Sequence, residues 1–272
     1  MPLLTATLSK PLALGGRGLR RLRQVLRSVA IASWIAIGLL LFVLVRTLTP
    51  WRPVNQCLQP FMAPWMQVAV HILGVRSSLA GLRPAPGSVL LCNHISWLDI
   101  VVIAAQLPVR FVAKTEVRQW PLIGLLAAAA GTLFLQRGKR DGAHSSAAIV
   151  TAIEHALRAG EVVLIFPEGT TTDGSSLRRF HAKLIPEGAR VVPLALAYRG
   201  RGAAAVPFLG DDDFASSLWR VLGERDVHAH IQVLAVQDAA TPIQQARQAQ
   251  GAVARALALP SSAERVACSR RC

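Results

Sequence analysis

The sequence predicts a single α/β domain, its central sheet mostly parallel or mixed and flanked by helices, preceded by an N-terminal helical hairpin of membrane-associated character. Three observations predict this. From residue 88 onward, short β-like runs alternate with helical ones. Residues 29–45 form an unbroken apolar run of 17 residues, at the lower limit for a helix that crosses a bilayer. Basic residues crowd the N-terminal end, where Lys10, Arg17, Arg20, Arg21, Arg23, Arg27, Arg46, Arg52, Arg76 and Arg83 all precede Asp99, the first acidic residue.

A chain of 272 residues can bury one sizeable core and carry an appendage. With 52% hydrophobic and only 17% charged residues, it is not a solvated disordered chain. Of the net charge of +15, only +5 arises from Asp99 onward (20 basic, 15 acidic), so the excess belongs to the appendage. Such a segment suits an anionic membrane surface. Nucleic acid is excluded as a partner, because no Cys/His finger spacing and no basic helix interleaved with stacking aromatics accompanies the charge. Cys57, Cys92, Cys268 and Cys272 are too scattered to imply a disulfide framework or a zinc site, and the bland reading is a reduced domain.

Residues 1–28 form a basic segment. Residues 29–75 form the anchoring hairpin: five arginines stand ahead of the apolar run, and Arg46, Thr47 and Pro50 follow it where a cleavage site would need small residues. The arginines place the N-terminal side, and with it the domain that follows the hairpin, on the cytoplasmic face of the cell membrane. The second apolar stretch, residues 58–75, contains Pro60, Pro64 and His71 and is a poor independent span. Two arrangements fit it: a shallow hairpin entering and leaving one leaflet, or one spanning helix followed by a core helix of the soluble domain.

The α/β domain occupies residues 76–258. Its expected strands are Ser88–Cys92, Arg110–Ala113, Thr132–Leu135, Glu161–Phe166, Val191–Tyr198 and Val227–Val236. Its expected helices are Trp97–Gln106, Leu122–Ala130, Gly142–Arg158 and Pro242–Leu257, with an irregular insertion from Gly200 to Arg225 and a polar tail over 259–272.

Three polar constellations each follow an apolar strand. In Asn93-His94-Ile95-Ser96-Trp97-Leu98-Asp99, a continuous helix would hold His94 and Asp99 about 140° apart. They meet only if a turn intervenes, and Ser96 supplies one as an N-cap with Asp99 in the first helical turn. A carboxylate so placed fixes the imidazole tautomer and leaves the other ring nitrogen free to take a proton. The same Ser-x-x-Asp spacing is also that of a capping box, which needs no catalysis. The second constellation is Phe166-Pro167-Glu168-Gly169-Thr170-Thr171, where Gly169 permits a sharp turn. The third, Gly131 to Arg137, ends on an arginine able to hold an anionic group. If the strands are parallel, His94, Arg137 and Glu168 emerge together at the carboxyl edge where open α/β sheets bind ligands.

In that order and spacing, NHISWLD, GTLFLQR, FPEGTT and the later VVPLAL resemble the four motifs of the glycerolipid acyltransferases, in particular the 1-acylglycerol-3-phosphate acyltransferases. The likeness runs from about Val89 to Tyr198, and Lys114, Pro121 and Gly124 fall where members commonly have them. The resemblance implies that His94 is the general base, Asp99 its orienting partner, and Arg137, Glu168, Gly169, Thr170 and Thr171 parts of the acceptor site. It also implies a two-helix membrane motif, a lysolipid acceptor, and acyl-CoA or acyl carrier protein as acyl donor, with no cofactor and no metal. Two positions depart from the phosphate-acceptor pattern, Thr171 where many members have Arg and Gln136 where many have Asp. FPEGTTTDG, LRRF and SLWRVLG are more similar to a branch associated with lyso-ornithine lipid. On family frequency lysophosphatidic acid leads narrowly as acceptor and lyso-ornithine lipid follows. From another class, a non-catalytic protein binding lipid headgroups through its arginines would also carry these residues. A metal-dependent hydrolase lacks ligands, since neither His-Glu-x-x-His nor clustered Cys/His occurs.

Overall fold

The computed structural model describes residues 16–52, 54–119, 123–135, 142–236 and 239–259. Along the chain run α1 (Gly16–Leu48), α2 (Val54–Leu73), β1 (Val75–Ala80), β2 (Ser88–Cys92), α3 (Leu98–Ala104), β3 (Arg110–Lys114), α4 (Thr115–Arg118), α5 (Ile123–Ala129), β4 (Leu133–Leu135), α6 (Gly142–Arg158), β5 (Val163–Ile165), β6 (Arg190–Arg199), α7 (Phe214–Leu222), β7 (Val227–Val233) and α8 (Pro242–Ala256).

The seven strands form one sheet in the order β1-β7-β6-β2-β5-β3-β4. Five of them, β6 to β4 in that order, are parallel, and β7 reverses direction against β6, carrying β1 with it. The expected mixed, mostly parallel sheet is observed. Residues on β2 alternate between two cores: Leu90 and Cys92 pack toward α3 and α7, Val89 and Leu91 toward α6 and α8. A strand covered on both faces reads as a continuous apolar run, which is why Ser88–Cys92 stands out in the sequence.

Three elements lie outside expectation, the first being the short helix α4 directly after β3. Residues 200–225 are not irregular throughout: α7 forms there, capped by Asp213, whose side chain accepts from the Ser216 N–H. Residues 75–80 leave the second apolar stretch as edge strand β1, with alternating burial and β7 as its partner.

Helix α1 crosses the expected boundary at residue 28 without a break. It is the one described helix long and apolar enough to cross a membrane, and its apolar window is not covered by protein. Helix α2 returns beside it, with Trp34 stacked on Trp65 at 4.9 Å. The C-terminal part of α2 buries Ala69, Val70 and Leu73, and Gln67 donates to the Ala105 carbonyl at 3.1 Å. Thus α2 joins the two arrangements weighed above: one stretch pairs with α1 while its end is core.

The basic start of α1 docks on the end of α7. Arg23 donates to the Gly223 carbonyl, Gln24 to that of Trp219, and Arg27 to those of Leu222 and Glu224; Arg20 pairs with the Glu224 carboxylate at 2.8 Å. The last carbonyls of a helix lack intrahelical donors and carry its negative dipole end, so guanidinium groups fit there. Gly74, with φ of 72°, makes room: an added Cβ would fall 1.9 Å from the Arg27 guanidinium.

Candidate active site

The carboxyl ends of β6, β2 and β5 lie side by side, and the site is built on the loops that leave them. Where the β2 ladder stops, Asn93 continues it with its side chain, donating to the Leu196 carbonyl at 2.9 Å and accepting from the Leu196 N–H at 2.8 Å. This pins the first residue of the loop to β6. The next residue, His94, directs Nδ1 to Asp99 Oδ2 at 2.8 Å. Among the described residues its Nε2 has no hydrogen-bond partner. The imidazole stacks on Phe166 with centroids 3.9 Å apart and planes 15° from parallel.

Asp99 is fully buried. Besides His94, its Oδ2 accepts the N–H groups of Ile95 at 2.7 Å and Ser96 at 3.0 Å, while Oδ1 accepts the Tyr198 hydroxyl at 2.8 Å. The Asp99 half of a capping box and the His–Asp pair therefore share one oxygen, while the Asp99 N–H goes to the Ser96 carbonyl rather than to its hydroxyl. The helix runs from Leu98, one residue later than expected, with Trp97 at its cap and Ser96 Oγ receiving the Leu98 N–H at 3.4 Å.

Glu168 is buried to 5% exposure and spends both carboxylate oxygens on backbone donors, the His94 N–H at 2.9 Å and the Arg178 N–H at 2.7 Å. Burial pushes its carboxyl above the ordinary range, while those two N–H groups oppose the rise. Glu168, expected in the acceptor site, ties the β5 turn to the His94 loop through these two bonds. Thr172 completes the clamp, its N–H reaching the His94 carbonyl at 2.8 Å.

Gly169 turns with φ of 72° in open space, and both it and Thr170 are exposed. Thr171 gives its hydroxyl to the Phe208 carbonyl, and the Phe208 N–H reaches back to the Ile95 carbonyl at 3.1 Å. The segment before α7 thus closes over both site loops. Arg137 lies outside the described residues; β4 ends at Leu135 on the same edge of the sheet. Cys92 is buried on β2, and burial pushes its thiol well up, so it stays protonated.

Sequence reasoning missed three contributors. Asn93 stands in the first motif with no role that its residue type suggests. Phe166 closes an expected strand. Tyr198, the single tyrosine of the chain, is the last residue of another. Only the single occurrence of Tyr could have drawn notice.

The fold and the site together define an α/β protein that presents a buried-carboxylate His–Asp pair at the carboxyl edge of its sheet, behind one long apolar helix. Residues 75–196 match the Acyltransferase family. A lyso-ornithine lipid O-acyltransferase of Pseudomonas aeruginosa is 40% identical over 261 residues, covering 91% of this chain and 99% of that protein. A second lyso-ornithine lipid O-acyltransferase, from Rhodobacter capsulatus, is 32% identical over 78% of this chain and 79% of its own length. A 1-acyl-sn-glycerol-3-phosphate acyltransferase of Neisseria meningitidis is 34% identical over 58% of this chain and 65% of its own. The crystal structure of the 1-acyl-sn-glycerophosphate acyltransferase PlsC from Thermotoga maritima shares the fold, with a TM-score of 0.62 at 17% identity over 88% of this chain and 96% of that one. The chain belongs to the acyltransferase family and is an acyltransferase enzyme.

Proposed function

We propose that this enzyme is a lyso-ornithine lipid O-acyltransferase, moving a fatty acyl group from a thioester of coenzyme A or acyl carrier protein to the free hydroxyl of the lysolipid. The observation that carries the chemistry is the 2.8 Å contact from Asp99 to His94 Nδ1, which leaves Nε2 unpaired toward the site. In this reading Nε2 takes the hydroxyl proton as the oxygen attacks the thioester carbonyl, and buried Asp99 stabilises the imidazolium. The tetrahedral intermediate then expels the thiolate, which takes that proton back. Cys92, held as a buried thiol, is no nucleophile here. The N–H groups of Gly169, Ile95, Ser96, Leu98 and Asp99 are already bonded, which favours the Trp97 N–H at the helix start as an oxyanion donor.

The acceptor assignment reverses the narrow order that family frequency suggests. What supports it is the similarity over nearly the full chain to relatives named for lyso-ornithine lipid. Thr171 adds to it, being uncharged and tied to Phe208 where phosphate-acceptor members often have Arg. Lysophosphatidic acid stays as the second reading, because relatives named for that acceptor match over 58% of this chain and exposed Arg178 and Arg179 follow the turn. Membranes carrying the enzyme, offered both acceptors at matched concentration with one labelled donor, decide between them by kcat/KM. At least tenfold preference for the ornithine lipid is expected, and tenfold preference for the phosphate acceptor overturns the assignment. Thr171→Arg is expected to move the ratio toward the phosphate acceptor.

A further inference from the structure

Asp99 has two oxygens in unlike circumstances. Three donors converge on Oδ2, whereas Oδ1 has the Tyr198 hydroxyl. Since Asp99 is fully buried, no water can replace that hydroxyl, and an unpaired carboxylate oxygen in such a place is costly. Tyr198 reaches it from β6, two residues beyond the Leu196 peptide that Asn93 bridges. The strand that fixes the loop entrance therefore also supplies the carboxylate's fourth donor.

We propose that Tyr198 is a positioning residue for acyl transfer, setting the proton affinity of the His94–Asp99 pair by donating a hydrogen bond to the outer carboxylate oxygen. The proposal rests on the general-base reading of His94. Deleting the donor on Oδ1 leaves more charge on the carboxylate and tightens its hold on the imidazolium, so the variant is expected to need a higher pH than the wild type to free Nε2. The titratable groups near Asp99 are His94, Tyr198, Cys92 and, one loop away, Glu168. Burial and the Asp99 charge push the Tyr198 phenol well above its ordinary value, so it acts as a neutral donor rather than an acid.

Tyr198→Phe keeps the ring on β6 and deletes the donor. The expected result is about a tenfold loss of kcat, KM values for both substrates within twofold of wild type, and an acid limb of the rate profile moved up by about one pH unit. Wild-type kcat with an unmoved acid limb overturns the proposal, as does a raised KM at unchanged kcat, which would make Tyr198 a binding residue. Because the chain has a single tyrosine, growth on 3-fluorotyrosine labels this position alone without changing the packing. The more acidic phenol is a stronger donor, so the acid limb must move in the opposite direction, downward; no movement overturns the proposal even if Tyr198→Phe fails to fold. His94→Ala separates the two possible failures. Retained turnover in His94→Ala breaks the general-base reading itself, whereas a dead His94→Ala beside an unmoved Tyr198→Phe profile breaks only the role of Tyr198.

Discussion

Two regions of this molecule gather polar groups at a chain junction, and they do opposite things with them. At the sheet edge, buried carboxylates of Asp99 and Glu168 collect backbone N–H groups from the β2 and β5 loops. At the α1–α7 junction, guanidinium groups of Arg23 and Arg27 collect backbone carbonyls from a helix end. In the first, a ring nitrogen of His94 has no partner among the described residues; in the second, the Arg23 and Arg27 groups bind the helix end itself. The difference teaches where function resides: a polar cluster whose charges serve only to join two helices holds structure, and one that leaves a titratable atom open can do chemistry.

Substitutions break this contrast in graded steps. The largest effect is expected for His94→Ala, a loss of turnover of about 10²–10⁴-fold with a melting temperature within about 2 °C of wild type, because the lost imidazole supplies proton transfer. An acyl-transfer assay beside thermal unfolding of the same preparation checks both halves. The double substitution Arg23→Ala with Arg27→Ala reverses the pattern. Three carbonyls lose charged donors, so stability is expected to fall by about 2–4 kcal/mol while kcat at low temperature stays within about threefold. Denaturation of the detergent-solubilised enzyme gives the first number, and a sharp fall in kcat at full folding would merge the two regions into one.

Glu168→Gln sharpens the contrast from inside the site. The amide keeps one acceptor and turns an NH2 toward a backbone N–H of either His94 or Arg178, so about 1–3 kcal/mol of stability is expected to be lost. Turnover should fall through displacement of the His94 loop, with the KM for the lysolipid little changed. A large rise in that KM at constant kcat would return Glu168 to the acceptor site.

Much of this was legible in the sequence, for definite reasons. Doubly covered strands such as β2 read as apolar runs, and α6 was bounded at both ends by Gly142 and Arg158 as observed. His94 and Asp99 lie within one loop, so a turn rule sufficed to join them. Helix α7 went unread although Phe214, Leu218, Val221 and Leu222 recur at helical spacing before Gly223, because a run of glycine, alanine and aspartate ahead of it suggests a loop. Strand β1 hid at the end of an apolar helix because it is short, at the sheet edge, and buried on alternate residues only. Tyr198 was beyond reach in principle. It is 99 residues from Asp99, and only the adjacency of β6 to β2 brings them together. The docking of Arg23 and Arg27 on α7 is invisible in the sequence, because composition records charge, while their carbonyl partners belong to no side chain and leave no trace in a residue alphabet.

The reversal of β7 and β1 against the other five strands has a consequence for how a lipid meets this enzyme. Since Val75 pairs with Val227, and His228 with Arg199 at the carboxyl end of β6, β1 begins at the same rim from which His94 projects. The polypeptide therefore steps from α2 onto the sheet at the rim that carries the reactive imidazole, three strands away from it, rather than at the opposite rim. In the acyl-transfer reading, a lysolipid can keep its chain among its neighbours alongside α1 and α2 and offer only its hydroxyl, with no need to be lifted through water. An added polar spacer between Leu73 and Val75 would then slow the reaction on bilayer substrate far more than on a short-chain, water-soluble analogue.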